Sequence, residues 1–275
     1  MDRSQSVGAS EVAALFGLHP NITARMLYHR KRGELPEQEW NKAMRRGKVL
    51  EPALAELYTE TTGTKIIRHQ QVTPHPTIPG LACTPDYLDE AGDPQEFKTA
   101  RFMKGDSAAD QHVIQLNTQM DCLQRQQGNV IYYDMARDDF IICPRLIDSD
   151  MVLIVGEAVA KFWERVRDGR PPEVASGDVQ ALTTLFKERH IEETINLDDD
   201  LDFAGYVGEY QAVRQQRLDI EKVEDELKAK IYARMGDFVR AKFGRTEVKR
   251  TIVNMPEKVV KAHKQVRMYV KEVKG

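Results

Sequence analysis

The stretch Thr84-Pro85-Asp86, with Glu96-Phe97-Lys98 starting ten residues after Asp86, constrains this chain more than any other. The run into Asp86, Leu81-Ala82-Cys83, is apolar, and Asp89-Glu90-Ala91-Gly92-Asp93-Pro94 is a polar turn. A second apolar-containing run follows at once, so the segment reads as two short strands joined by a loop. Side chains i and i+2 of a strand share a face, so Glu96 and Lys98 point into one cleft while Phe97 enters the core.

That pattern suits a divalent-metal site that hydrolyses phosphodiesters. Mg²⁺ takes hard oxygen ligands and keeps several waters, so a few carboxylates suffice. Asp86 and Glu96 supply two ligands and the Phe97 backbone carbonyl a third, with Mn²⁺ as a substitute for Mg²⁺. A lysine at position 98 can orient or deprotonate the attacking water and offset phosphate charge. Glu51 lies upstream on an expected helix and Gln115 downstream on another; Asp86 and Glu51 leave room for a second metal. In a chain that is 30% charged, an Asp followed by Glu-x-Lys is by itself more often a solvated hairpin. The apolar run before the acid and the strand after the turn are what favour a site.

Periodicity places the remaining elements. A helix begins after Ser10, which reads as its N-cap and so offers an anion site at the helix start. Further helices are expected over Thr23–Arg32, Asn41–Thr62 (carrying Glu51), Asp110–Gln126 (carrying Gln115 and Gln119 on one face) and Asp150–Asp168. In the last, Val152, Val155, Val159, Phe162, Trp163 and Val166 form a plain core seam. Strands are expected over Lys65–Val72, Leu81–Leu88, Gln95–Thr99, Asn129–Met135 and Phe140–Leu146. This is an α/β core, a mixed sheet flanked by helices. Residues 1–175 form one domain and 176–202 an acidic linker with a short helix. Residues 203–275 form an extension of one long helix, Phe203–Phe243 capped by Gly244, and strands at Thr246–Val253 and Arg267–Val273. Val213, Ile220 and Leu227 recur every seven residues on that helix, the spacing of a hairpin or short coiled coil. The plainer reading is a helical arm packed on its own core; the sharper is an arm for oligomer or DNA contacts.

Composition excludes several classes. Nothing approaches a membrane-spanning apolar run and no signal peptide opens the chain, so a soluble cytoplasmic protein without membrane contact is expected. Three widely spaced cysteines, Cys83, Cys122 and Cys143, suit reduced thiols rather than a disulfide framework or structural zinc. The seven histidines contain no zinc-hydrolase pair. The net charge of −3 is unlike that of most DNA-binding proteins, but residues 25–48 hold eight Lys and Arg against three Glu. Arg45, Arg46 and Lys48 of that cluster lie closest to Glu51 and suit a phosphate-tracking, sequence-independent surface.

The motifs together resemble the PD-(D/E)XK nucleases, in particular the YqaJ and phage lambda exonuclease branch. Four blocks carry the resemblance: Gly8-Ala9-Ser10-Glu11-Val12 with Arg3 before it; Arg46-Gly47-Lys48 with Glu51 and the run to Gly63; Thr84-Pro85-Asp86 with Glu96-Phe97-Lys98; and Gln115 with Gln119-Met120. The resemblance implies that Asp86, Glu96 and Glu51 bind metal, that Lys98 serves the water, and that Gln115 supports the cleft. It implies that Arg3, Ser10 and Thr84 cradle a terminal 5′ phosphate, with Thr84 standing where the best-known relative has serine. It further implies a Mg²⁺-dependent exonuclease that degrades linear double-stranded DNA from the 5′ end, acting in phage-type recombination as a homotrimer with a single-strand annealing protein as partner. The extension after residue 203 departs from the lambda-type pattern and puts the ring in question. An endonuclease on the same fold and a non-catalytic DNA-binding subunit are the competing readings.

Overall fold

The computed structural model describes residues 3–37, 41–69, 71–103, 105–187 and 194–251, with the side chains of Arg3 and Lys187 left out. The chain divides into two compact units, Met1–Arg189 and His190–Gly275. The strand expected at Arg267–Val273 lies outside the described residues.

The first unit begins with β1 (Val7–Gly8), α1 (Ala9–Leu15), α2 (Ala24–Lys31) and α3 (Lys42–Thr62). Five short strands follow: β2 (Ile66–Arg68), β3 (Thr73–Pro74), β4 (Leu81–Cys83), β5 (Tyr87–Asp89) and β6 (Pro94–Ala100). Then come α4 (Asp110–Leu123), the hairpin β7 (Gln127–Asp134) and β8 (Asp139–Leu146), α5 (Ser149–Asp168) and α6 (Val179–Lys187). Side-chain caps set several of these starts. Thr23 accepts from the Met26 N–H at 3.0 Å and Asn41 from the Met44 N–H at 2.9 Å. Gly63 and Gly169 end α3 and α5 in the left-handed conformation that glycine adopts without strain.

Two sheets form in this unit. A five-stranded mixed sheet has the order β2-β5-β6-β7-β8, and a small one has the order β1-β4-β3. Only β6 and β7 run parallel in the larger sheet, so their connection must cross over, and α4 is that crossover. Of the expected strands, one is shortened and one divided. Lys65–Val72 is cut back to β2, with β3 starting just beyond it at Thr73, and Leu81–Leu88 is split into β4 and β5, which belong to different sheets. Pro85 explains the split: it has no N–H for a ladder, and the chain changes sheets there. The turn behaves as read from its composition. Asp89 Oδ1 accepts from the N–H groups of Ala91 and Asp93, and β5 returns as β6 with Tyr87 opposite Gln95.

Helices cover both faces of the larger sheet. On one face α3 buries Leu54 and Tyr58 against Tyr87, Phe97 and Ile131. Phe97 sits edge-on to Tyr58 and Tyr87 at 5.5 and 5.4 Å. On the other, α4 buries Leu116 and Met120 against Val130 and Tyr132. The α5 seam is buried at Val155, Val159 and Phe162 and half-buried at Trp163 and Val166, against α1, α2 and β4, while Val152 is half-buried. The 3-10 turn Ser176–Asp178 is tied to the same unit, because buried Asp178 accepts from the Thr23 hydroxyl and from the Ala175 N–H.

The second unit contains α7 (Leu201–Met235) and the hairpin β9 (Arg240–Phe243) and β10 (Thr246–Lys249). The long helix therefore ends eight residues before the expected Phe243. Gly236 stops it with φ 54° and ψ −128°, a backbone setting that side-chain-bearing residues rarely adopt. Gly244 sits in the hairpin turn instead. The expected seam is exposed along its length, so α7 does not pack on a core of its own among the described residues.

Gly80 fixes how α5 meets β4. Its φ is +74°, and a Cβ there would lie 2.4 Å from Trp163 Nε1, which donates to the Gly80 carbonyl at 3.0 Å. Gly80→Ala should therefore destabilise the first unit by about 2 kcal/mol. Urea denaturation of the variant beside wild type measures this.

Candidate active site

Glu96 is the centre of the site. It lies on β6, is 2% exposed, and faces α4 because the neighbouring Phe97 takes the α3 side. A buried carboxylate needs donors. Gln115 and Gln119, one turn apart on α4, donate to its Oε1 and Oε2, each at 2.6 Å. Lys98 Nζ adds a third contact at 2.5 Å. Burial pushes the Glu96 carboxyl up, but Lys98 and the three donors outweigh it and hold the group below the usual carboxylate range.

Asp86 stands between the two sheets, just ahead of β5, and accepts from the Phe97 N–H at 3.0 Å. Its carboxyl is held well above the ordinary Asp value by burial and by the adjacent Glu96 and Glu51 charges. Lys98 shows the converse. Burial lowers its pKa, yet Glu96 and Asp86 raise it further, so it stays an ammonium. Glu51, on α3, is shared between Lys48 Nζ at 3.4 Å and Arg68 of β2 at 3.5 Å. Its position precedes Pro52, which has no N–H to give the Lys48 carbonyl.

Two cavities flank these acids. The first, about 300 Å³, is lined by Gly47, Lys48, Glu51, Asp86, Phe97 and Lys98 among others. The second, about 160 Å³, is lined by Ser6, Ser10, Thr84, Gln115 and Gln119 among others. Glu96 is bonded to residues of both. The β1-β4-β3 sheet makes the second cavity, since Val7 pairs with Leu81 and brings the start of α1 beside Thr84.

Most of the residues singled out in the sequence thus converge. Glu51, Asp86, Phe97 and Lys98 share the first cavity, Ser10, Thr84 and Gln115 share the second, and Glu96 bonds Lys98 of the one and Gln115 of the other. Lys48 reaches the cleft, whereas Arg45 and Arg46 are exposed on α3 and do not line it. Ser10 is not the N-cap of α1. Gly8 holds that position, and its N–H is taken by Glu11 Oε2 at 2.9 Å. Ser10 lies in the first turn with its hydroxyl uncommitted to capping. Arg3 lies in the 3-10 turn Arg3–Gln5. The basic stretch 25–48 is partly structural. Lys31 is buried on Glu11 at 2.7 Å, and Arg25 and Arg32 donate to the carbonyls of Pro172 and Val166.

Three contributors carried no role in the sequence reading. Gln119 shares the burden of Glu96 with Gln115, and the i,i+4 spacing was the available signal. Arg68 pairs with Glu51 because β2 runs beside β5, which no local pattern reveals. His112, one turn before Gln115, bonds the Tyr132 hydroxyl at 2.6 Å. Burial first, then the Lys98 charge, lowers its pKa to about 4 and keeps it neutral at physiological pH.

The donor set fits a hard divalent cation. Asp86 and Glu96 offer carboxylate oxygens, Asp86 is buried beside the acids Glu96 and Glu51, and Gln119 Oε1 is buried with no hydrogen-bond partner. Among the described residues, no three His, Cys, Asp or Glu side chains are already gathered as a cage. The reason is visible in the bonding: Glu51 is turned to Lys48 and Arg68, and Glu96 to its three donors.

A mixed sheet between helices, with acids and a lysine at the split between two strands, is a PD-(D/E)XK-like fold. Residues 1–124 match the YqaJ-like viral recombinase domain, the family whose motifs the sequence resembles. The match ends at the close of α4 and so contains every residue of the acid cluster. The fold is shared with an alkaline exonuclease, LHK-Exo, from Laribacter hongkongensis, at 23% identity and a TM-score of 0.51 over 68% of this chain and 96% of that one. LHK-Exo in complex with dAMP gives 21% identity and a TM-score of 0.50 over the same shares. No curated protein matches the chain. Among the described residues, no helix is long and apolar enough to cross a membrane.

The opposed carboxyls predict a signed pH effect. A raised Asp86 pKa means that its ionised form destabilises the fold above that pKa, and the cost fades as pH falls to the unfolded value. Asp86→Asn keeps the acceptor for Phe97 and removes the charge. It should raise the thermal midpoint by a few degrees at neutral pH and by progressively less on acidification, as followed by circular dichroism melts across pH.

Proposed function

We propose that this protein is a Mg²⁺-dependent exodeoxyribonuclease that degrades linear double-stranded DNA, from the 5′ end, in phage-type recombination. The observation that carries this reading is the buried Glu96 with Asp86 and Lys98 on the same cleft, inside a segment that matches a viral recombinase domain.

Asp86, Glu96 and the Phe97 carbonyl would hold the metal, with Glu51 completing the acidic cluster. When bound, the ion supplies Lewis-acid stabilisation of the phosphoryl oxygens and a lowered pKa for its water. Lys98, kept as an ammonium by its two acid neighbours, donates rather than accepts; it orients the attacking water and offsets negative charge on the phosphate. Gln115 and Gln119 fix the Glu96 carboxylate so that it does not need to reorganise during the reaction. Ser10 and Thr84 present hydroxyl donors in the adjoining cavity, where a terminal phosphate would sit, with Arg3 on the same N-terminal segment. Lys48, Arg45 and Arg46 offer cations to the DNA backbone, contacts that weaken with salt and carry no sequence information. The same reading carries a homotrimer and a single-strand annealing protein as partner.

The test is an assay on linear duplex with and without a 5′ phosphate, beside a closed circle, in Mg²⁺ and in Mn²⁺. The linear duplex should be lost with release of mononucleotides, faster with the phosphate, while the circle survives. Lys98→Ala should lose about 10²–10³-fold in rate. Cleavage of the circle would make the protein an endonuclease, and no activity with either metal would leave only DNA binding.

A further inference from the structure

Outside the nuclease site, the exposed face of α7 is the feature that demands a partner. The helix is about 52 Å long at 1.5 Å per residue. Met235 is its only buried residue among those described, while Val213, Ile220 and Leu227 are 64%, 67% and 53% exposed. A stripe of that kind is more than scattered surface apolarity.

The stripe follows a heptad. Phe203, Tyr210, Arg217, Glu224 and Ile231 occupy one core position, and Tyr206, Val213, Ile220, Leu227 and Arg234 the other. We propose that α7 pairs with α7 of a second copy of this chain as an antiparallel two-stranded coiled coil, with the twofold axis between Leu218 and Asp219.

Charge selects this arrangement. In the proposed register Tyr206 meets Ile231 of the second copy and Tyr210 meets Leu227. The flanking positions then set Glu209 against Lys230 and Arg214 against Glu221, and symmetry repeats both contacts. Glu209, Arg214 and Lys230 have no ion-pair partner within the chain among the described residues, whereas Glu221 is only loosely engaged by Arg217 at 3.7 Å. Of the three charged core residues, Arg217 comes within one turn of Glu224 of the second copy, and Arg234 falls opposite Phe203 at the end of the pair. A parallel pair would instead stack Arg217 on Arg217 and Glu224 on Glu224, which a coiled coil disfavours. Sliding the antiparallel pair by one heptad places Glu221 on Glu221 in one direction and Arg214 on Arg214 in the other. The favoured register is also the one that overlaps the helix end to end, because its axis falls at the midpoint of Leu201–Met235. This pairing is independent of the nuclease reading and supplies a contact that a ring of first units does not.

The test is the molar mass of the full-length protein by light scattering after gel filtration, with helical content checked by circular dichroism. Arg214→Glu alone and Glu221→Arg alone should each halve the mass of the wild-type assembly. An equimolar, co-refolded mixture of the two variants restores opposite charges at both contacts and should recover the wild-type mass. Wild type and single variants of equal mass, or a mixture that stays at the halved mass, would overturn the proposal and leave α7 to another segment or protein.

Discussion

Everything at the site depends on one carboxylate that would not be ionised where it lies without three donors. Glu96 is buried in the middle of the larger sheet, and its two oxygens are taken by Gln115, Gln119 and Lys98. The topology makes this arrangement available. Parallel pairing of β6 with β7 forces a crossover, and the crossover helix α4 brings both glutamines over the strand that carries the acid. The same strand turns Phe97 to the opposite face, where α3 packs on it and thereby places Glu51 at the cleft.

The electrostatics of the cluster are unequal by design of its surroundings. Glu96 is satisfied and stays ionised, whereas Asp86 is buried with one backbone donor and two acidic neighbours and is held well above its ordinary pKa. Two acids pushed in opposite directions within one cleft are a common mark of a functional site. In the fold alone, ionised Asp86 is a cost, and a site that binds a divalent cation recovers it. Lys98 sits between the two, and its retention as an ammonium follows from both.

Local chemistry made much of this legible in the sequence. The second and third helices start within a residue of the expected Thr23 and Asn41, the Asp89–Pro94 turn forms, and the alternation Glu96, Phe97, Lys98 sends each side chain to the expected face. What stayed hidden was set by distant contacts. Ser10 looked like a cap, but the helix starts two residues earlier at Gly8, whose N–H is taken by the Glu11 carboxylate. Pro85 parts one apparent strand between two sheets, a break that periodicity alone does not show. Cations that looked like a DNA surface are partly spent on α5 and the segment after it, as Arg32 and Arg25 show, and Arg68 reaches Glu51 only through the pairing of β2 with β5. On α7 the heptad was visible, but Gly236 rather than Gly244 ends the helix.

The measurement closest to the central claim is calorimetric titration of Mg²⁺, and then Mn²⁺, into the wild-type protein and into Glu96→Gln. The substitution keeps the shape of the side chain and removes the charge that organises the cleft. Saturable binding by wild type, weakened at least about tenfold in the variant, a difference of about 1.4 kcal/mol, is the expected result. Absence of saturable binding in wild type with either ion, or equal affinity in the two proteins, would contradict the account.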